Sequence, residues 1–247
     1  MSGHNKWSTI KHKKGAADAK RSKIFSKIVK DIQIAVKEGG PDPDGNPRLR
    51  LAIQNAKGVS MPKDNIERAV KGSQKDASSL LELTYEGYLP NAVAVFIECT
   101  TNNQQRTVSV VRSIFNKFNG NLGTNGSLSF MFDRKGIFTI PKANYNPDLH
   151  ELEVIDAGAE DIEDEEGYIT ITTAMEDFGK MQKKLEELQV VCENASLQRI
   201  PKDYKKLDKE DTKKIMKMID TFEDDDDVQN VYHNLEIPDE FYDEMED

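Results

Sequence analysis

The chain contains two cysteines and one tryptophan in 247 residues. Cys99 and Cys192 lie far apart, with neither the paired spacing of a metal site nor the density of a disulfide framework. They read as reduced cysteines on strands of a cytosolic protein. Long apolar runs are also missing. Residues 1–23 have no apolar segment of the secretory type, and no stretch is apolar enough to span a bilayer. Gly3 follows Ser2 rather than Met1, so the myristoylation pattern fails. Mitochondrial presequences favour Arg and Ser, whereas Lys dominates here. There is no glycine-rich phosphate loop ending in Lys-Ser/Thr, no nucleophile elbow and no Cys/His signature. The reading is therefore of a non-enzyme, with no cofactor, no metal and no small-molecule substrate.

What the chain does have is charge, unevenly distributed. Residues 1–75 hold 17 Lys and Arg against 7 Asp and Glu, a net of +10; the remaining residues hold 17 against 37, a net of −20. The overall acidity thus conceals a basic N-terminal part suited to a polyanion, and the usual polyanions are nucleic acids. The acidic remainder would be repelled by that ligand, so it should face away from it or touch something else. Residues 1–30 carry Lys6, Lys11, Lys13, Lys14, Lys20, Arg21, Lys23, Lys27 and Lys30 with Asp18 as the single acid. So complete an exclusion of acids favours a binding surface over a solvated face. Trp7 lies inside this run. It suits stacking on an unpaired base while its neighbours neutralise phosphates, and equally suits anchoring a loose arm to a core.

The spacing predicts an α+β chain of three domains. Ile24, Phe25, Ile28, Val29, Ile32, Ala35 and Val36 recur at helical spacing, with Lys20, Lys23, Lys27, Lys30 and Lys37 opposite; Arg21 and Ile34 break the pattern. This helix, about 17–37, stops at Gly39-Gly40-Pro41. Asn46-Pro47 reads as N-cap and first position of a second helix, and Pro62 opens a third that ends before Gly72. The three form a small bundle. The arm at 1–16 lacks a core stripe and is expected to be mobile until bound.

Beyond residue 76 the pattern turns to strands. Leu83–Leu89 and Val93–Thr100 form a hairpin. A helix at 102–116, a glycine-rich loop at 119–126 and a strand at 127–132 follow. Residues 136–200 then read strand, helix, strand, strand, helix, strand, the split order of a ferredoxin-like domain. A helix near 208–222 and a strand near 228–233 remain. A lone strand needs a partner sheet, so these return to the middle domain. The expected domains are 1–78, a basic arm and three-helix domain; 79–134 with 202–247, a discontinuous α/β domain; and 135–201, a βαββαβ unit inserted into it.

Other candidates are weaker. His4 and His12 lack a third metal ligand. Asp224–Asp227 reads as a solvated cap, and Glu236–Asp247 as a frayed, solvating end. Glu86 and Glu98 lie on successive strands and read as exposed strand residues rather than a carboxylate pair. The loop Asn119–Gly126 permits close approach of a partner, or is a plain turn.

Several motifs in order resemble the YebC family. They are Gly3-His4-Asn5-Lys6-Trp7, Asp18-Ala19-Lys20-Arg21, Lys23 to Ile28, Asn46 to Arg50, Met61 to Ile66 and Tyr85-Glu86-Gly87-Tyr88. Asn102-Asn103 with Arg106-Thr107, Gly120 to Gly123, Ala157 to Asp161 and Asp226 to Asn234 continue the series. The resemblance implies a helical domain followed by two α/β domains. It also implies a DNA-binding transcriptional regulator. The family's mitochondrial relative, a translational activator of cytochrome oxidase, and its ribosome-associated members imply translation instead. The chain begins at the family's first motif, which implies a bacterial cytoplasmic protein without a presequence. One departure is Gly87-Tyr88-Leu89-Pro90-Asn91-Ala92, where the family commonly has Gly-Tyr-Gly-Pro-Gly-Gly; losing those glycines should stiffen the hairpin turn.

Two functions follow as expectations. In one, the helical domain binds duplex DNA, with Arg48 or Arg50 reading guanine edges. In the other, the basic arm and bundle enter structured RNA, such as ribosomal RNA on the ribosome. The expected contact residues are Lys6, Trp7, Lys11, Lys13, Lys14, Lys20, Arg21, Lys23, Lys27, Arg48 and Arg50. Lysine suits phosphate contact more than base reading.

Overall fold

Leu81–Leu89 (β1) and Val93–Thr101 (β2) pair antiparallel, with Leu81 opposite Thr101 and Leu89 opposite Val93. β2 is apolar on both faces, as a strand buried on both sides must be. The computed structural model describes residues 18–76, 79–165 and 167–237. Among them, Asn121–Leu122 (β3) joins β1, and Val228–His233 (β8) joins β2, giving the order β3-β1-β2-β8. The C-terminal strand therefore returns to the first sheet, as its need for a partner predicted.

Two helices, Gln104–Lys117 (α4) and Lys209–Glu223 (α7), bury Phe115, Ile219 and Phe222 against Val93, Val95 and Ile97. The Phe115 and Phe222 rings meet at 4.9 Å, and each buried phenylalanine contributes about 1.5–3 kcal/mol by leaving water. The opposite face holds a smaller cluster of Ala94, Phe96, Leu128, Phe132 and Tyr232.

The second sheet has the order β5-β6-β4-β7. Its elements are Phe132–Pro141 (β4), Pro147–Asp156 (α5), Ala159–Glu165 (β5), Tyr168–Ala174 (β6), Phe178–Glu187 (α6) and Asn194–Pro201 (β7). This is the split βαββαβ arrangement, with Phe138, Ile140 and Ile171 packed on Val154, Met181 and Leu185.

The N-terminal helices are Asp18–Gly39 (α1), Pro47–Gly58 (α2) and Lys63–Asp76 (α3). Asn46 is the hinge of the first pair. Its Oδ1 accepts from Leu49 N–H at 3.0 Å, and its Nδ2 donates to the carbonyls of Ala35 and Gly40 at 2.6 and 2.8 Å. One buried amide thus caps the start of α2 and the end of α1 together.

The chain divides into two compact units. Among the described residues, one comprises those up to Lys30, those within Asp76–Asp133 and those from Ile200 onward; the other comprises those within Asp31–Lys75 and Arg134–Arg199. Within the second unit, Asn55 of α2 accepts from Ala195 N–H and donates to its carbonyl, both at 2.9 Å.

Some local expectations change. Residues 127–131 are not a strand: Ser129–Met131 form a 3-10 turn that buries Leu128 and leaves Phe130 exposed, and the strand begins only at Phe132. Gly72 does not end α3, which runs on to Asp76; a solvent-facing glycine costs a helix only about 1 kcal/mol. Ile34 is buried although it broke the apolar stripe. Cys99 lies on β2, whereas Cys192 precedes β7; burial pushes both thiols up to about 12. The C-terminal segment is packed at its start, where Leu235 and Ile237 enter the first core and Leu235 bridges to Lys205.

Candidate nucleic-acid interface

α1 carries Lys23, Lys27 and Lys30 at spacings of four and three, so the three ammonium groups share one helix face. That face meets residues 224–229 of the same compact unit. Lys23 Nζ donates to the Asp224 carbonyl at 2.7 Å and to its carboxylate at 2.9 Å. Lys27 Nζ donates to the Gln229 carbonyl at 3.1 Å. Lys30 Nζ donates to the carbonyls of Thr100 and Asp226 at 2.9 and 2.7 Å and to Asp227 Oδ1 at 3.2 Å. All three ammonium hydrogens of Lys30 are thereby used.

The cause lies at the end of α7. Glu223 and Asp224–Asp226 crowd the C-terminal end of that helix, which has no basic residue in its last turn. Their charge adds to the negative pole of the helix dipole, and lysines from α1 offset it. Asp227 turns inward at the start of β8. Its Oδ2 accepts from Thr101 Oγ1 at 3.0 Å, Thr107 Oγ1 at 2.9 Å, and Arg106 Nε and Nη2 at 3.2 and 2.7 Å. Burial raises the Asp227 carboxyl. Hydrogen bonds from Arg106, Thr107 and Lys30 outweigh that and hold it below the ordinary carboxylate value. The solvated-cap reading of the acidic run is therefore wrong for Asp227, which is a buried hub. The lysines and the hub are 197 residues apart in sequence at Lys30 and Asp227.

The other expected contact residues fall in three groups. Lys6, Trp7, Lys11, Lys13 and Lys14 lie outside the described residues, as do His4 and His12. Lys20 is in the first turn of α1, and its side chain lies outside the description as well. Arg21 is exposed, its guanidinium 5.9 Å from the centre of the Phe25 ring. In the second unit, Arg48 pairs with Glu38 at 2.7 Å, both side chains well exposed, and Arg50 follows on α2. A solvent-exposed pair of this kind is worth less than about 1 kcal/mol, so a phosphate can displace it.

Glu86 is also corrected. It is 2% exposed, and its carboxylate accepts from the Gly126 and Leu128 amides at 2.7 and 2.5 Å. It does not face Glu98: the register sets Glu86 opposite Phe96 and Glu98 opposite Thr84. The glycine-rich loop wraps this carboxylate. A side chain at Gly87 would strike the Asn121 carbonyl and the Phe115 ring, and one at Gly120 would lie 2.8 Å from the Tyr88 carbonyl. Close packing inside the protein accounts for these glycines.

Models of the TACO1/YebC family match the chain in two blocks: the N-terminal domain over residues 5–76 and the second and third domains over residues 80–235. The chain belongs to the TACO1/YebC family. A relative named "Probable transcriptional regulatory protein" from Geotalea uraniireducens is 52% identical over 99% of this chain and 100% of its own length. One of the same name from Amoebophilus asiaticus is 52% identical over 95% of this chain and 98% of its own. The crystal structure of the conserved hypothetical protein Aq1575 from Aquifex aeolicus superposes with a TM-score of 0.82 at 41% identity. It covers 93% of this TACO1/YebC chain and 96% of that protein. Relatives carrying regulator names support a regulator by family resemblance. Among the described residues, no helix is long and apolar enough to cross a membrane.

Proposed function

We propose that this chain is a cytoplasmic nucleic-acid-binding regulator of gene expression, a binding protein rather than an enzyme, that grips phosphates with its N-terminal arm and the head of α1. The observation that carries this reading is the division of labour within the basic region. Lys23 and Lys30 donate to the protein's own acidic turn, and Lys27 donates to the Gln229 carbonyl on β8. The cations proposed to meet the ligand are Lys6, Lys11, Lys13 and Lys14 with Lys20 and Arg21, and separately Arg50 and Arg48 of α2, the latter by giving up its exposed pair with Glu38. The names of the relatives support transcription as the setting, for which duplex DNA would be the nucleic acid gripped.

A second reading, an RNA- or ribosome-associated translation factor, has its own support. A helix laid in a major groove needs an open cationic face, and that face of α1 is occupied. A lysine-rich arm with a tryptophan suits unstacked bases and structured RNA better than base edges in duplex. The two readings separate by sedimenting the protein with ribosomes at near-physiological salt, with and without ribonuclease. Co-sedimentation that ribonuclease abolishes supports translation. Protein that stays at the top of the gradient, with duplex binding at the same salt, supports transcription.

A further inference from the structure

α5 is built against the usual pattern of a surface helix. Its inward side buries Val154, and Ala157 follows it into the core. Its outward side presents Leu149, Leu152 and Ile155, which are 67, 78 and 48% exposed. Spacings of three set these side chains on one stripe about 120° wide. A water-facing stripe of large aliphatics on a ten-residue helix is costly unless something covers it. The same outward side carries Asp148 at its start and Asp156 at its end, with Glu151 on its flank. No Lys or Arg lies on α5, and residues 134–199 hold 7 basic against 15 acidic residues, a net of −8.

We propose that this stripe is a docking surface for a basic protein partner, one that inserts apolar side chains between Leu149, Leu152 and Ile155 while its lysines or arginines meet the surrounding carboxylates. Charge selects this occupant. A nucleic acid or an anionic bilayer would be repelled by the Asp148, Glu151 and Asp156 carboxylates beside the stripe, while Lys180 and Lys184 of α6 are engaged by the Asp156 carbonyl and Glu153. A second copy of the chain, packed α5 on α5, would bring the same acids together. A cationic amphipathic segment satisfies both the apolar stripe and its acidic border. This surface goes beyond the nucleic-acid contact, because it gives the acidic part of the chain a binding task of its own.

The test uses the full-length protein and a synthetic amphipathic helix with leucines at heptad a and d positions and lysines elsewhere. The control peptide carries glutamates in place of the lysines. Binding is read by fluorescence anisotropy, and the Leu149→Asp/Leu152→Asp variant is compared with wild type. The expected result is binding of the lysine peptide only, weakened about tenfold or more in the variant, a loss of about 1.4 kcal/mol. The substitution adds negative charge, so attraction by charge alone would tighten binding instead. Unchanged or tighter binding in the variant overturns the proposal, as does failure of wild type to bind the lysine peptide or equal binding of the glutamate peptide. Light scattering supplies the remaining arm: self-association of wild type that the variant abolishes would make a second copy the occupant and overturn the proposal. Since the substituted side chains are exposed, the variant should keep its thermal midpoint. If it does not, Ile155→Asp alone is read in the same way.

Discussion

The Lys30 ammonium lies 3.2 Å from Oδ1 of Asp227 and spends its other two hydrogens on the carbonyls of Thr100 and Asp226. Both side chains are largely enclosed, at 21% and 10% exposed. Breaking such a pair from one side is costly, because the survivor loses its counter-charge: Lys30 would keep only two carbonyls, and Asp227 would keep Arg106, Thr101 and Thr107. Asp227→Ala should therefore destabilise the protein by about 3 kcal/mol and Lys30→Met by somewhat less, with the two effects less than additive. Urea unfolding of the two single variants and the double variant measures this. Full additivity would show that the pair is not coupled.

The same carboxylate gives a pH dependence. Its folded value is depressed, so the unfolded state takes up the proton more readily. The stability it contributes is complete above the unfolded carboxyl value of about 3.9 and drains as pH falls through the lower folded value. Asp227→Asn should lose stability at neutral pH and show a shallower decline below about pH 4. An acid limb parallel to that of wild type would place the depressed group elsewhere.

Glu86 organises the loop after β3. Its carboxylate accepts two amide hydrogens, and its own carbonyl accepts the Gly123 amide at 2.7 Å. Glu86→Gln keeps the shape but turns one acceptor into a donor facing an N–H. The cost should be about 1–3 kcal/mol, with faster hydrogen exchange confined to residues 123–128. Exchange rates unchanged in that loop would mean that the glycine packing holds it without the carboxylate.

The hairpin between β1 and β2 is strained rather than merely stiff. Asn91 and Ala92 both adopt left-handed backbone conformations, with φ of 62° and 57°. Asn tolerates this region; Ala pays about 1 kcal/mol for it. Ala92 is exposed, so Ala92→Gly should stabilise the protein by up to about 1 kcal/mol, read as a rise in thermal midpoint. A fall would show that the chain entropy lost by glycine exceeds the strain relieved.

Local chemistry was legible in the sequence where neighbours in the chain do the work. Asn46-Pro47 announced a helix start, and the Val93–Thr100 run announced a hairpin strand. The stray strand at 228–233 required a home sheet and found it on β2. Non-local chemistry was hidden. Asp227 looked like one of four solvated acids because its partners stand at positions 30, 101, 106 and 107. Glu86 looked like an exposed strand residue because its amide donors lie forty and forty-two positions downstream. The alternation of Leu128, Phe130 and Phe132 imitated a strand. In the fold Leu128 and Phe132 reach the sheet from either end of a tight turn, and Phe130 points to water. The charge asymmetry located the basic region, but it could not show that Lys23, Lys27 and Lys30 turn toward residues 224–229 of the protein itself.

The proposed division of the basic residues between ligand and protein is the central claim, and one measurement tests it. Affinity for a duplex DNA and for a structured RNA hairpin should be measured at fixed salt for wild type, Lys11→Glu/Lys13→Glu/Lys14→Glu and Lys27→Met. The account predicts that the arm variant loses most affinity for whichever nucleic acid wild type prefers, at least about tenfold, or about 1.4 kcal/mol. It should fold as before, while Lys27→Met binds like wild type. Loss of binding in Lys27→Met with the arm variant unaffected would contradict it, and would return the cationic face of α1 to the nucleic acid.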